Sequence, residues 1–474
     1  MQFSSLLFLY QFLPICLLCY YLSPQLLKNF LLLTFSLVFF AWGGVNFTFI
    51  LVASIVGNFF FGIGISRERQ KLWLVIGLAF NVLILVIFKY TDFIVENINQ
   101  LLLHTTYKSF EKPGIILPVG ISFYTFHSVS YLVDIYRGKC SAQKNIFHLA
   151  LYIAMFSQLI AGPIIRYSDV WKQLTMREHR LNDFVYGIKR FIIGLSKKVL
   201  LANTLALVAD NSFNSPTQGL SSSNAWLGII CYTFQIYYDF SGYSDMAIGL
   251  GHMFGFSFKE NFNLPYSALS IQDFWRRWHI SLSGFFRDYV YIPLGGNQSG
   301  PVRTYMNLIS VFFLTGIWHG ASWTFVVWGF FHGVFLIIER LGLGKILQKT
   351  WAPLANSYTW LVVMVGWVFF RSNTLNEALD YLRCMFDINP HGNTSGVSFA
   401  VITPELLLVL LCAGVFAFPL PHFHFTAKHK FERVYRLLKT GFGYILPVVY
   451  LSLLVLCTLY LISGSYNPFI YYRF

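Results

Sequence analysis

Long apolar stretches separated by short polar ones run through this chain. At about 20 residues per crossing, they place candidate membrane spans at 3–22, 29–45, 47–64, 72–95, 114–136, 191–212, 224–250, 305–320, 321–338, 355–371, 403–420 and 441–463. The pattern predicts an all-α polytopic integral membrane protein with roughly 11–12 transmembrane helices. The stretch from Phe3 to Leu22 follows no Lys or Arg and lacks a small-residue cleavage site, so it is expected to be retained rather than removed as a signal peptide. No repeat of fixed period and no low-complexity segment divides the chain. It reads as one membrane domain over 1–474, with its motifs in 117–333 and C-terminal helices in 403–463.

Two places break the rhythm. Ile146–Pro163 is apolar but flanked by basic loops on both sides, and it ends at the helix-breaking pair Gly162-Pro163. A full crossing would put one basic loop on the wrong side, so a re-entrant segment covered by protein is expected. The spans 305–320 and 321–338 leave almost no loop between them. One of the two is therefore expected to be broken or strongly tilted.

Composition supports the membrane reading. Hydrophobic residues make up 56% of the chain and charged residues 11%, with mean hydropathy +0.58, whereas a soluble domain carries about 25% charged residues. The net charge of +14 sits in short loops between apolar segments, which argues for membrane orientation and against nucleic-acid binding. Arg67–Lys71, Arg137–Lys144, Arg166–Arg190, Lys259–Arg303, Arg340–Lys349 and Lys428–Lys439 are basic, while Asn211–Asn224 and Asn373–Pro404 are poor in Lys and Arg. Placing the basic set in the cytoplasm puts both termini outside. The seven cysteines suggest no disulfide framework, and the pair Cys16 and Cys19 is expected simply to pack.

The candidate chemistry is carried by histidines. In Ile271–Asn297, Ser270 and Asp273 suggest a helix start. Asp273, Arg276, Arg277 and Arg287 then fall on one side, and Phe274, Trp275, Trp278, Leu282 and Phe285 on the other. This predicts an amphipathic helix at the cytoplasmic interface, within 270–297, with its tryptophans at headgroup level. His279 falls on its aromatic side. His319 lies in an apolar run with Trp318, Trp323 and Trp328 nearby, and with Gly316 and Gly320 permitting close approach. An ionisable group at membrane depth is a functional candidate. Burial favours the neutral imidazole, the form a general base needs. His332 is expected to pack or bond locally.

A third constellation, Tyr232–Gly251, carries Gln235, Asp239, Ser241 and Asp245 in an apolar span. The two aspartates are too costly to face lipid, and they either orient a reacting group or tie helices together. Leu117–Gly138 repeats the theme with His127 and Asp134, and Lys89 ends an apolar run from which it could snorkel. His422, His424 and His429 cluster without carboxylate or thiolate partners, so no metal site is expected. No Gly-x-Ser-x-Gly elbow is present.

At these residues the chain resembles the membrane-bound O-acyltransferase family, in its branch typified by alginate O-acetylation. The motifs LPVGISFYTF, YLVDIYRG, SQLIAGPIIRY, QIYYDFSGYSDMAIGLG, DFWRRWHISLSGFFRDYVYIPLGGN and LTGIWHGASWTFVVWGFFHG carry the likeness over Leu117–Gly333. The resemblance implies a helical ring around a thin centre, with a tunnel from a cytoplasmic donor funnel to the outer face. It maps the family's two histidines onto His319 and His279 as catalytic residues. Trp275, Arg276, Arg277, Trp278, Trp318, Asp239 and Asp245 become candidates for donor or acceptor binding. The implied reaction is acetyl transfer from acetyl-CoA or another acyl thioester, with no bound cofactor. The acceptor would be an extracytoplasmic polysaccharide such as alginate, cellulose or peptidoglycan, reached through a periplasmic acyltransferase partner from the bacterial inner membrane. D-alanyl transfer to teichoic acid from a carrier protein fits the same histidines. Outside the enzymes, a transporter or flippase coupled through Asp239 and Asp245, or a structural membrane subunit, are the other expectations.

Overall fold

The computed structural model describes the chain apart from residues 104, 217–218, 389–401, 420–431, 465 and 471–474, and apart from the side chains of 432–444. His422, His424 and His429 lie outside the described residues. The described residues form helices and no strand. The main helices are α1 (Phe8–Leu22), α2 (Gln25–Ala41), α3 (Val45–Ile65), α4 (Gln70–Leu102), α5 (Ile121–Tyr136), α6 (Ile146–Ala154), α7 (Leu181–Asn214), α8 (Ser222–Met253), α9 (Ile271–Arg277), α10 (Ile280–Phe286), α11 (Gly300–His319), α12 (Trp323–Leu347), α13 (Ala352–Arg371), α14 (Leu375–Met385), α15 (Pro404–Ala417) and α16 (Glu432–Ile462).

Among the described residues, six helices are long and apolar enough to cross a membrane: α3, α4, α7, α12, α13 and the 445–462 part of α16. α1, α2 and α15 are shorter apolar helices. α8 and α11 have spanning length (32 and 20 residues) but carry polar side chains turned into the protein. The expected span at 114–136 shrinks to α5, whose side chains are almost all buried.

α8 runs through the middle. It packs on α7 so closely that a Cβ on Gly194 would come within 2.4 Å of the Gly242 carbonyl oxygen. Small residues allow this backbone contact, and polar pairs then tie the seam. Asp245 binds Arg190 and Lys197, each at 2.6 Å, and Asp239 binds Lys198 at 2.7 Å.

The re-entrant expectation meets a segment of suitable form. α6 has only nine residues and stops at Met155, whose ψ is 119°. A short turn, Phe156–Leu159, follows, and every residue from 151 to 165 is buried. Ser36 accepts the Phe156 N–H at 3.1 Å, satisfying a donor freed by the break.

Of the two expectations for the 305–338 pair, a break or a strong tilt, the break does not occur. α11 is continuous to His319, and α12 begins at Trp323 with Ser322 capping it through the Thr324 N–H. Gly316 and Gly329 make the tight hairpin possible: a Cβ on either would lie 2.3 Å from a carbonyl oxygen of the facing helix. The single amphipathic helix expected after Ser270 is also corrected. It is two short helices, α9 and α10, and Phe274, Trp275 and Trp278 are buried in protein rather than lying at headgroup level.

Candidate active site

The break between α9 and α10 is where His279 sits. Ser270 accepts the Asp273 N–H at 3.0 Å as the predicted cap, and the Glu339 carboxylate accepts the Ile271 and Gln272 N–H groups at 2.6 and 2.9 Å. At the other end Trp278 is extended and His279 adopts φ 44°, ψ 56°. A left-handed residue other than glycine is costly and persists only where its surroundings impose it. Here the segment 261–263 does so: Asn263 N–H donates to the Arg277 carbonyl and Ile280 N–H to the Asn261 carbonyl, both at 2.9 Å.

Asn261, fully buried, also settles the proton on the imidazole. Its Oδ1 accepts from the Ser281 backbone N–H at 3.2 Å and the Ser281 hydroxyl at 2.8 Å, while its Nδ2 donates to Ser244 Oγ at 3.0 Å. The backbone donor identifies that atom as the oxygen. His279 Nδ1, 3.0 Å from the same oxygen, must therefore be its donor, and Nε2 carries the lone pair. Among the described residues Nε2 has no hydrogen-bond partner.

His319 is the last residue of α11, where carbonyls lack helical partners. Lys89 donates to the Trp318 and His319 carbonyls, and Tyr90 to the Ile317 carbonyl at 2.9 Å. Both come from a π-helical turn in α4, Val86–Tyr90. Lys89 thus caps a helix end from within rather than snorkelling outward. The His319 ring lies 4.7 Å from Trp318, 5.0 Å from Trp328 and 5.0 Å from Phe370, centroid to centroid. The His279 ring lies 6.2 Å from the same Trp318. Trp318 therefore bridges the two histidines.

Cavities lie near this pair, the two larger ones lined by its neighbours rather than by either histidine. One, of about 500 Å³, opens among the basic loops and is lined by Arg166, Lys259, Trp275, Arg276, Ser281 and Arg287. Another, of about 350 Å³, lies beyond the end of α11 and is lined by Lys89, Tyr232, Gln235, Gly320, Ser322 and Arg371. A third, about 100 Å³, touches Lys89, Trp318 and His319 directly. On the wall of the first cavity, Arg166 and Arg287 grip Asp288 at 2.5 and 2.7 Å. Burial alone would raise that carboxyl, but the two guanidinium groups hold it below its ordinary range.

The structure brings together some of the sequence candidates and separates others. Trp278 joins His319, Trp328 and Trp367 around a small enclosed space. Trp275 reaches from the basic-side cavity to His332, 5.1 Å away, which packs as expected. Arg276 is exposed in that cavity, and nothing among the described residues engages it. Arg277 is held by Asp273 at 2.9 Å instead. Asp239 and Asp245 line neither large cavity, because their ion pairs commit them to the α7–α8 seam. Trp323 does not surround His319: it is 51% exposed and its indole donates to Asn97. No disulfide and no cluster able to hold a metal occurs among the described residues. Asn261 carries no sequence signal, since its role exists only once the chain has folded back on residues 279–281.

A polytopic helical protein with two buried histidines between cavities is the setting in which similarity to known proteins becomes informative. The sequence model of MBOAT, the membrane-bound O-acyltransferase family, matches residues 141–375. The "Probable alginate O-acetylase AlgI" of Azotobacter vinelandii is 45% identical over 422 residues, covering 88% of this chain and 84% of that protein. The peptidoglycan O-acetyltransferase of Helicobacter pylori is 38% identical, covering 85% and 82%. The teichoic acid D-alanyltransferase of Bacillus subtilis is 28% identical, covering 52% and 65%. This chain belongs to the membrane-bound O-acyltransferase family. It is a membrane protein and an O-acyltransferase, which sets aside the transporter and structural-subunit readings.

Proposed function

We propose that this protein moves an acetyl group from a cytoplasmic thioester, acetyl-CoA, to a hydroxyl on the outer side of a bacterial inner membrane, for O-acetylation of a polysaccharide. The placement of two buried histidines between a basic-side and a far-side cavity carries this reading. The donor enters among Arg276 and its neighbours, which suit a phosphate-bearing carrier of the acyl group. His319 takes the proton of the attacking hydroxyl as its oxygen bonds to the thioester carbonyl carbon. The carbon–sulfur bond breaks, and the proton passes from the imidazole to the departing thiolate.

His279, with its proton on Nδ1, offers a lone pair at Nε2. That favours positioning a donor group over polarising the carbonyl, which would need a proton there. Trp275, Trp278 and Trp318 wall the path and exclude water. The far-side cavity, about 350 Å³, admits a side chain or a single sugar more readily than a polymer. It supports a relay through a hydroxyl of a separate periplasmic acyltransferase. The similarity to acetylases over most of the chain, against a shorter match to a D-alanyltransferase, favours acetyl over D-alanyl.

The test is transfer of radiolabel from acetyl-CoA by purified protein in detergent, with the candidate partner present. His319→Ala is expected to lower transfer by about 10²- to 10⁴-fold, and His279→Ala to lower it as well, with both variants folded. Equal activity in all three proteins overturns the mechanism. Activity only with a D-alanyl carrier protein transfers the reading to teichoic acid.

A further inference from the structure

A second cluster of basic side chains lies at the edge of the protein, away from the histidine pair. α2 starts at Gln25 behind Pro24, with no side chain capping its first turn. Lys28 stands in that turn, where the helix dipole disfavours a cation. It is only 7% exposed, yet no carboxylate, carbonyl or hydroxyl among the described residues engages it. Its Nζ lies 5.1 and 5.4 Å from the ring centroids of Tyr20 and Tyr21.

Around the Tyr20 hydroxyl two more basic groups converge. Arg177 donates to it from Nε and Nη2 at 3.0 and 2.8 Å, and His179 Nε2 lies 2.8 Å away. The remaining bonds of Arg177 go to neutral oxygens, the carbonyls of Phe254 and Gln173. Glu178 offers no compensation, because it is exposed and paired with Arg180 at 2.6 Å. Like charges gathered without a counterion repel, most strongly where water is excluded. Burial, and after it the charges of Lys28 and Arg177, push the His179 imidazole down to about 4. What the cluster lacks is an anion.

We propose that Lys28, Arg177 and His179, with the uncapped first turn of α2, bind the phosphate of an anionic phospholipid headgroup. Helix N-termini and basic side chains together make a phosphate site. The surroundings select the lipid over free phosphate: Leu22, Leu26 and Leu27 beside the cluster are 78%, 94% and 50% exposed, a surface for acyl chains that an inorganic ion would not use. The basic loops assign this end of α2 to the cytoplasmic leaflet, where anionic lipids attract juxtamembrane cations.

The test is binding of short-chain phosphatidylglycerol, short-chain phosphatidylcholine and inorganic phosphate to the full-length protein in neutral detergent, read by native mass spectrometry. Phosphatidylglycerol is expected to bind tighter than phosphatidylcholine. Lys28→Met is expected to weaken phosphatidylglycerol by about fivefold, the effect of one cation near a membrane surface, with thermal stability little changed because Met can keep packing on the two tyrosine rings and the Lys28 ammonium makes no hydrogen bond among the described residues. Lys71→Gln, an exposed basic residue elsewhere, leaves binding unchanged. Equal affinity for the two lipids, or unaltered binding by Lys28→Met, overturns the proposal. Inorganic phosphate binding as tightly as phosphatidylglycerol overturns the lipid assignment.

Discussion

At the residue scale, the proposed mechanism depends on which atom of each imidazole faces the reaction. Asn261 decides this for His279 by accepting at Nδ1 while the Ser281 N–H holds its own orientation. Asn261→Ala leaves that buried proton without an acceptor, and a positioning partner of a histidine is worth about 10- to 100-fold in related chemistry. The expected result is a fall in kcat by that factor, with the KM for acetyl-CoA little changed and the pH profile of the residual activity displaced. A loss confined to KM would show that Asn261 serves donor binding instead.

His179 illustrates a titration outside the site. Its folded value, about 4, lies below the ordinary 6.5, so the unfolded chain binds more protons between those limits. Stability conferred by the neutral imidazole is full above about pH 6.5 and drains away as pH falls toward 4. The thermal midpoint in detergent should drop over this window, and His179→Gln should flatten the slope. An unchanged slope would show that His179 is not the group responsible.

At the element scale, the two corrections have separate local causes. Residues 270–287 have the periodicity of one amphipathic helix, but the left-handed backbone at His279 divides it, because residues 261–263 offer backbone partners to both halves. The α11–α12 hairpin looked too tight for two full helices, yet Gly316 and Gly329 let the backbones meet. Gly329→Val places a Cβ 2.3 Å from the Phe312 carbonyl oxygen, well inside contact distance. It should destabilise the protein by about 1–3 kcal/mol or more, read as a lower thermal midpoint, and should reduce activity by moving His319 at the hairpin's tip. A variant with wild-type stability would mean that the helices separate more easily than this contact implies.

At the scale of the whole molecule, the proposed function requires the two cavities to face opposite sides of the membrane. Gln298 lies before α11 among the basic loops, and Asn373 lies just beyond α13 beside the far-side cavity. In intact cells Asn373→Cys should react with an impermeant maleimide, and Gln298→Cys only after permeabilisation. Five of the seven native cysteines are buried, so background labelling is small. The reverse pattern would invert the topology and with it the assignment of donor and acceptor sides.

The sequence alone was enough for the helical membrane class, because apolar length is a one-dimensional property that a bilayer reads directly. It also marks His279 and His319 as candidates, because a titratable group in apolar surroundings stands out without any fold, and both prove buried. What those side chains touch was decided only in three dimensions. Asp239 and Asp245 became ties between α7 and α8, Trp323 turned outward, and Lys89 reached 230 residues along the chain to cap His319. Such contacts join positions far apart in sequence, and no local pattern records them, since each depends on two helices having first packed together.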